Sequence, residues 1–257
     1  MKLGIMAKNN TYRKEFIGAR KGVSFLNREI RVKEILKYKN FGKLLDIGCA
    51  LGFFLRFAEN YFETYGIDIS SLAIKKAKTI TPNSKLFVQD AQLKCPFKDN
   101  FFDIVTSYDV IEHLSNPYGS LNESFRVLKT SGYLFLQTPT DKSQKIIIDN
   151  THISLFSKSR LVYILKKIGF NIVLFEKRRS ILYFDRFARK FINFFTKDNT
   201  VIALDNYNSI APQLLKSSKA KLFILRKLKL IIWEFDKFIS KFTLAPEMFI
   251  VAQKPRV

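Results

Sequence analysis

The sequence has few cysteines, few histidines and no long apolar run. Only two of its 257 residues are cysteine and two are histidine, and neither a Cys-x-x-Cys pair nor a histidine cluster beside a cysteine occurs. This scarcity argues against a disulfide framework and a zinc site, and it favours a reducing cytoplasm. The first residues, MKLGIMAKNNTYRKEF, lack the apolar stretch of a signal peptide. No run is long enough to span a bilayer, so we expect neither secretion by that route nor a membrane span.

Acidic residues are scarce relative to basic ones. The chain has 44 Lys and Arg against 22 Asp and Glu, a formal net charge of +22, which would attract nucleic acid or an anionic membrane surface. No arginine-rich arm or compact basic motif concentrates this charge. We therefore favour codon bias towards Lys, Asn, Ile and Phe as its main origin.

Short apolar runs alternate with amphipathic stretches, the pattern of βαβ units that build a parallel sheet. The predicted strands are residues 43–47, 64–67, 85–88, 102–107, 133–138, 170–175 and 248–252. The predicted helices are residues 53–61, 72–78, 118–128 and 157–168, the last with Ser157 as N-cap and Gly169 as its stop. The sequence predicts an α/β fold with a Rossmann-like, doubly wound, mostly parallel sheet of seven strands.

We divide the chain into an N-terminal helical segment (1–40), a core (41–177), an insertion (178–245) and the last strand with its tail (246–257). Because a final strand follows it, residues 178–245 are expected to interrupt the sheet before its last strand. Aromatic residues there recur at four-residue intervals among basic ones, which predicts basic amphipathic helices. We favour a lid over the sheet, and leave open peripheral contact of its basic face with an anionic membrane.

The segment LLDIGCALG, residues 44–52, is the sharpest signal, because a buried strand ends in an acid and a glycine turn follows. Gly48 and Gly52 allow the backbone to approach a ligand, and the following helix is expected to present free N–H groups. Asp68 ends the next strand about 20 residues on, where a carboxylate can accept both ribose hydroxyls of a nucleoside. Asp90 ends the third strand, where it could accept an adenine amine. A dinucleotide-binding turn stays an alternative.

The chain resembles the class I methyltransferases that use S-adenosylmethionine (SAM), in particular the branch acting mainly on small molecules. The resemblance covers roughly residues 40–177 and the last strand. It rests on four segments: DIGCALG (46–52), FDIVTSYDVIEHLSNP (102–117), SFRVLKTSGY (124–133) and THISLFSKSRLVYILKKIGF (151–170). Ala50 departs from the family, which commonly has a glycine at that position.

This resemblance implies cofactor-binding residues at the ends of four strands. They are Asp46, Gly48, Cys49 and Gly52 for the methionine part of SAM, Asp68 and Ile69 for the ribose, Asp90 and Ala91 for the adenine, and Tyr108 at the mouth where cofactor meets acceptor.

Methyl transfer from a sulfonium is an in-line displacement, so the enzyme mainly orients its substrates and needs a base only when the acceptor must lose a proton. The imidazole candidates for this base are His113 and His152. We favour a structural role for His113 and regard His152, at the carboxyl edge of the sheet, as the better base. Asp109 and Glu112 follow the fourth strand, but no further ligands are evident nearby, so we expect no metal ion.

We therefore predict a cytoplasmic SAM-dependent methyltransferase that methylates a hydroxyl of a small molecule, sugar or lipid-linked acceptor. An RNA methyltransferase would explain the charge. However, the chain has SYDVIEH where amino-methylating nucleic-acid enzymes often carry an N/D-P-P-aromatic motif, so nucleic acid is the weaker alternative. A SAM-binding partner protein without catalytic activity is the third.

Overall fold

The computed structural model describes residues 25–141, 151–178 and 247–256. From residue 28 onward these residues belong to one compact unit, which spans 28–178 and 244–257. The helices are α1 (Phe25–Leu36), α2 (Leu55–Ala58), α3 (Ser71–Ile80), α4 (Pro117–Val127) and α5 (Lys158–Ile168), with a 3₁₀ turn at Ile111–His113. The strands are β1 (Lys43–Ile47), β2 (Glu63–Asp68), β3 (Lys85–Val88), β4 (Phe102–Tyr108), β5 (Leu128–Pro139), β6 (Asn171–Arg178) and β7 (Glu247–Gln253).

The seven strands form one sheet in the order β3-β2-β1-β4-β5-β7-β6. Strands β1 to β5 are parallel to one another, and β7 lies antiparallel between β5 and β6. The prediction of a mostly parallel seven-stranded α/β sheet is therefore confirmed. Within the described ranges, none of the helices has both the length and the apolar composition that a bilayer span requires.

Alternate residues of the central strands supply two separate apolar cores, one on each face of the sheet. Leu45, Val105 and Leu134 belong to one cluster, and their neighbours Leu44 and Ile104 belong to the other. Side chains alternate between the faces of a strand, so a strand covered on both sides reads as a continuous apolar run. All seven residues of β4 are accordingly buried, and the carboxyl end of β4 lies in the middle of the sheet.

The termini of the helices follow local side-chain chemistry. Ser157 Oγ accepts the backbone N–H of Arg160 at 3.2 Å, and Gly169 ends α5 with φ of 115°, so both predicted termini are confirmed. The predicted helix at 53–61 is in fact only Leu55–Ala58. It stops there because the carbonyl of Ala58 accepts the N–H groups of both Tyr61 and Phe62, a tight turn that leads into β2.

Helix α1 is fixed to the far edge of the sheet by a buried ion pair. Glu34 Oε1 and Oε2 accept Arg178 Nη2 and Nη1 at 2.6 and 3.0 Å, and the Arg178 guanidinium lies 3.6 Å from the ring centroid of Phe249. Within the predicted N-terminal helical segment the structure has a helix at residues 25–36, while residues 1–24 lie outside the described residues, so the segment as a whole stays a prediction. The predicted helices of the insertion also lie outside the described residues and remain a prediction.

Replacing Glu34 with Gln should lower the free energy of unfolding by about 2 kcal/mol. This loss is smaller than the roughly 3–5 kcal/mol typical of a broken buried pair, because Glu176 still contacts Arg178 at 2.7 Å. Urea denaturation measures the effect. Lys33→Gln is the control, since that exposed side chain of the same helix makes only a surface pair with Glu29 and should change stability by less than about 0.5 kcal/mol. Equal losses of unfolding free energy in both variants would contradict the stabilising role of the Glu34–Arg178 ion pair.

Candidate active site

The turn after β1 has an unusual backbone that brings it close to two other segments. Gly48, Ala50 and Gly52 have positive φ angles of 71°, 48° and 75°. A Cβ on Gly48 would lie 2.4 Å from Cγ2 of Val110, and one on Gly52 would lie 2.8 Å from Cγ2 of Thr81. Gly48 therefore lets the turn approach the segment after β4, whereas Gly52 packs the turn against α3.

The backbone N–H groups of this turn are largely used inside the protein. Gly48 N and Cys49 N donate to Ile67 O at 2.8 and 3.0 Å, and Gly52 N donates to Cys49 O at 2.8 Å. Cys49 is itself buried, and burial raises the pKa of its thiol well above the ordinary value. The N–H groups of Gly48, Cys49 and Gly52 are therefore not free to bind a ligand. The free N–H groups that we expected belong to the following helix and stay a prediction.

Asp46, near the end of β1, is a buried carboxyl group. Thr106 Oγ1 of β4 donates to its Oδ1 at 2.7 Å. Burial raises the pKa of Asp46 to about 7, although the Thr106 hydrogen bond and the positive charge of Arg31 both act in the opposite direction. Asp46 can therefore change its charge near neutral pH, when a cationic ligand arrives.

Asp68, at the end of β2, is oriented by two backbone donors. Its Oδ2 accepts the N–H of Ala50 at 2.9 Å and its Oδ1 accepts the N–H of Ser70 at 2.8 Å. Burial raises the pKa of Asp68, and these two hydrogen bonds limit the rise. Each carboxylate oxygen has a further lone pair, so Asp68 can still accept hydroxyl groups of a ligand. Ile69 beside it is exposed, as a ligand-facing residue requires.

Asp90 lies in the loop after β3, next to the end of β2. Its Oδ1 accepts the backbone N–H of Gln92 at 2.9 Å. The Gln92 side chain in turn accepts Ser115 Oγ at 2.8 Å, which ties this loop to the segment after β4. Ala91 packs against the apolar core. Three neighbouring strands thus carry an acid at or just after their carboxyl ends, namely Asp46, Asp68 and Asp90. Because these strands are parallel, the three acids lie at the same edge of the sheet.

Sequence reasoning missed Arg31 of α1, which the structure places at this edge. Its Nη2 lies 3.3 Å from Asp109 Oδ2, and its guanidinium stacks 4.2 Å from the ring centroid of the buried Tyr108. Arg28, one helical turn earlier, lies over the ring of Phe53 in the glycine turn. Arginines three residues apart share a helix face. That spacing, in NREIRV, was the signal that could have revealed them.

The two histidines, which are far apart in sequence, meet at the end of β4. The ring centroids of His113 and His152 are 4.8 Å apart. Glu112 joins them, since one ligand-type atom of each of the three residues lies within 4.8 Å of the others. The carbonyl of Glu112 accepts the N–H groups of Ile153 and Ser154, which holds the loop that carries His152. Sequence reasoning considered these three residues separately and did not predict the cluster.

The site therefore combines three chemical functions at one edge of the sheet. Asp46 and Asp68 can recognise a cation and hydroxyl groups, and Arg31 can pair with an anion. The Glu112, His113 and His152 cluster can accept a proton or bind a cation.

Comparison with known proteins identifies a family. A family model described as a methyltransferase domain matches residues 25–174, which include every residue of the site. An uncharacterized methyltransferase of Schizosaccharomyces pombe is 33% identical over 114 residues, which cover 39% of this chain and 41% of that protein. Phosphoethanolamine N-methyltransferase 1 of Arabidopsis thaliana is 26% identical over 188 residues, or 65% of this chain and 38% of that protein. The chain thus spans about two fifths of the length of these relatives.

Among solved structures, a similar fold occurs in phosphoethanolamine N-methyltransferase 2 of Haemonchus contortus, crystallised with SAM. The TM-score is 0.63 at 21% sequence identity, and the match covers 100% of this chain and 58% of that chain. At this identity the likeness establishes the fold.

The raised pKa of Asp46 predicts a pH dependence of stability. In the folded protein Asp46 keeps its proton up to about pH 7, whereas its ordinary value is 3.8. Its contribution to stability is therefore fully present below about pH 4 and is lost as the pH rises through 7. From this group the free energy of unfolding should fall by up to about 1.4 kcal/mol per pH unit within that window.

Urea denaturation between pH 4 and pH 8 measures this slope, which Asp46→Asn should flatten. Asp141→Asn, at an exposed position, should keep the slope of the wild type. Identical slopes for the wild type and Asp46→Asn would show that Asp46 is ionised throughout this range.

Proposed function

Because the chain belongs to the methyltransferase domain family, we propose that it transfers the methyl group of SAM to a hydroxyl oxygen of a small-molecule acceptor. One observation carries the proposal. A glycine turn with a left-handed backbone, two buried carboxyl groups at neighbouring strand ends and the cluster of Glu112, His113 and His152 all meet at the carboxyl edge of one sheet.

The described residues fit the chemical groups of SAM. Asp46 suits its ammonium group, Arg31 its carboxylate and Asp68 its ribose diol. Gly48 lets the turn approach Val110 after β4, because a Cβ at this position would clash with the Val110 side chain. In addition, the buried Oη of Tyr108 and Oγ of Ser107, both at the end of β4, have no hydrogen-bond partner within the described part of the chain. Buried polar atoms normally have partners, so these two hydroxyls are consistent with a polar ligand at this place.

In the reaction the acceptor oxygen forms a bond to the methyl carbon as the carbon–sulfur bond breaks, and sulfur keeps the electron pair, which leaves S-adenosylhomocysteine. The residues of this chain orient the two substrates and assist removal of the hydroxyl proton. The cluster of Glu112, His113 and His152 lowers the cost of losing that proton. It lies directly after β4, beside the Val110 that touches the glycine turn.

A second acceptor class is favoured by the relatives. Proteins described as phosphoethanolamine N-methyltransferases are similar to this chain in sequence and in fold. A phosphorylated amine would also suit the net charge of +22, and its ammonium group must lose a proton before it can attack. The same cluster would therefore serve either acceptor.

The positions of the strand residues that flank the insertion support a role of residues 178–245 in acceptor selection. Arg178, the last residue of β6, is the register partner of Glu247, the first residue of β7, which also faces Pro139 at the carboxyl end of β5. The strand residues that flank the insertion, Arg178 and Glu247, therefore lie at the edge of the sheet that carries the site. We propose that residues 178–245 select the acceptor. A sugar or lipid-linked acceptor and peripheral membrane contact remain predictions.

Asp68→Ala should weaken binding of SAM and of S-adenosylhomocysteine by more than tenfold, about 1.4 kcal/mol, because the ribose loses its acceptor. Isothermal titration calorimetry measures both affinities. A 2′-deoxy analogue should lose less affinity than SAM on this substitution. Asp99→Ala, at an exposed position, is the control and should bind SAM as the wild type does. If the wild type bound the deoxy analogue and SAM equally well, Asp68 would not be the ribose ligand.

Formation of S-adenosylhomocysteine distinguishes the two acceptor classes. We expect hydroxyl compounds, tested as a panel of sugars, phenols and polyprenyl alcohols, to raise its rate above the rate without acceptor. Mass spectrometry should then locate the methyl group on oxygen. Turnover with phosphoethanolamine and none with the hydroxyl panel would replace the first proposal by the second. A protein that binds no SAM would refute both.

A further inference from the structure

We propose that Glu112, His113 and His152 bind a divalent first-row transition-metal ion at the carboxyl end of β4. The donors are one carboxylate oxygen and two imidazole nitrogens, which all lie within 4.8 Å of one another. They come from two segments, the 3₁₀ turn after β4 and the loop before α5. The three residues are buried or half-buried, unlike the exposed acidic groups that commonly lie together on a protein surface.

The hydrogen bonding of His113 leaves its second nitrogen suited to a metal ion. Nδ1 lies 3.1 Å from the backbone carbonyl oxygen of Thr151. The hydroxyl oxygen of Thr151 lies 3.2 Å from the same nitrogen. In the tautomer in which Nδ1 donates to the carbonyl, Nε2 carries the lone pair. Nε2 in turn lies 3.9 Å from Glu112 Oε1. Metal-binding histidines typically donate their other N–H to a carbonyl or a carboxylate in this way.

Glu112 is held in a comparable way. Its side chain is only 1% exposed, and burial of a carboxylate is costly unless a cation or hydrogen bonds compensate for it. Thr138 Oγ1 of β5 donates to Oε2 at 3.1 Å, while Oε1 is the oxygen that faces His113. Thr138 thus orients the Glu112 side chain through Oε2, and its Oε1 faces His113. Thr151 orients the His113 ring through Nδ1, and its Nε2 faces Glu112.

The geometry needs only a small adjustment. With bonds to a metal ion of about 2.0–2.2 Å, donors that share the ion lie about 3–3.5 Å apart. The observed 3.9 Å between Nε2 and Oε1 exceeds this by less than about 1 Å. Side-chain rotation of Glu112 or His113 can supply such a movement, while the loop that carries His152 is fixed by two N–H bonds to the carbonyl of Glu112.

The donor set selects the kind of metal ion. Imidazole nitrogens suit Zn²⁺, Fe²⁺, Co²⁺ and similar ions, whereas Mg²⁺ and Ca²⁺ prefer oxygen donors. Three protein donors also leave coordination positions open for a further ligand. We expected no metal ion from the sequence, because no ligands beyond Asp109 and Glu112 are evident near β4 along the chain. The proposal departs from that expectation, because the additional donor is an imidazole from the loop after β5.

The metal ion would have a catalytic role that rests on the proposed function. A bound divalent ion lowers the pKa of a coordinated hydroxyl group. An acceptor hydroxyl at the open position would therefore pass its proton to water before it attacks the methyl carbon. In this arrangement His113 and His152 are ligands, and neither acts as the general base.

The test uses the full chain, freed of metal with a chelator and titrated with Co²⁺ alone. We expect one Co²⁺ ion per chain, with visible ligand-field absorption that Zn²⁺ abolishes by competition and Mg²⁺ leaves unchanged. His152→Ala and Glu112→Gln should each weaken Co²⁺ binding by more than tenfold, while Asp141→Asn, an exposed acid outside the cluster, should not. Unchanged circular dichroism of the variants verifies their folding.

Three results would overturn parts of the proposal. Absence of the Co²⁺ spectrum in the wild type, or an equal spectrum in His152→Ala and Glu112→Gln, would refute the metal site. Methyl transfer that proceeds equally fast in chelator would refute its catalytic role. Co²⁺ binding in a protein that does not bind SAM would leave the metal site standing and refute the proposed function instead.

Discussion

The cost of burying carboxyl groups at the carboxyl edge of the sheet is the constraint on which the site depends. Asp46 and Asp68 are both buried, and an unpaired buried carboxylate is strongly unfavourable. Asp68 is compensated by the N–H groups of Ala50 and Ser70. The first of these bonds requires the turn to fold back on β2, which accounts for a left-handed backbone at Ala50 and for the close approach at Gly48. The shape of the turn after β1 thus follows from the need to satisfy the hydrogen bonding of one buried acid.

Asp46 is compensated less completely, and this difference has a functional meaning. Within the part of the chain that the structure describes, the hydroxyl of Thr106 donates to it, and burial still raises the pKa of Asp46 to about 7. The folded protein therefore keeps an acid that is ready to ionise when a cation enters. Arg31 contacts Tyr108 and Asp109 at the end of the neighbouring strand β4. A carboxyl group and a guanidinium thus lie at one edge of the sheet, the pair that the proposed function assigns to the amino acid part of SAM.

Helix α1 connects this electrostatic arrangement to the stability of the fold. Its Glu34 is anchored to Arg178 on the far side of the sheet, and its Arg31 is carried on the same helix to the end of β4. The position of Arg31 therefore depends on a buried ion pair elsewhere in α1. In the 3₁₀ turn after β4, the backbone carbonyl of Glu112 holds the loop of His152, and the Glu112 side chain completes the cluster with the two histidines. Helix α1 and the 3₁₀ turn after β4 thus each provide both an anchoring contact and a side chain of the candidate site.

The sequence by itself determined the features that depend on local periodicity. The strands, Ser157 and Gly169 at the ends of α5, and the acids Asp46, Asp68 and Asp90 at successive strand ends could be located because each is encoded by its neighbours, and parallel strands end at one edge. Only the tertiary structure decided which distant segments meet. Arg31 lies 78 residues from its partner Asp109, and the packing role of Gly52 depends on α3. His113 and His152 meet because Glu112 fixes a remote loop, a contact that no local pattern encodes.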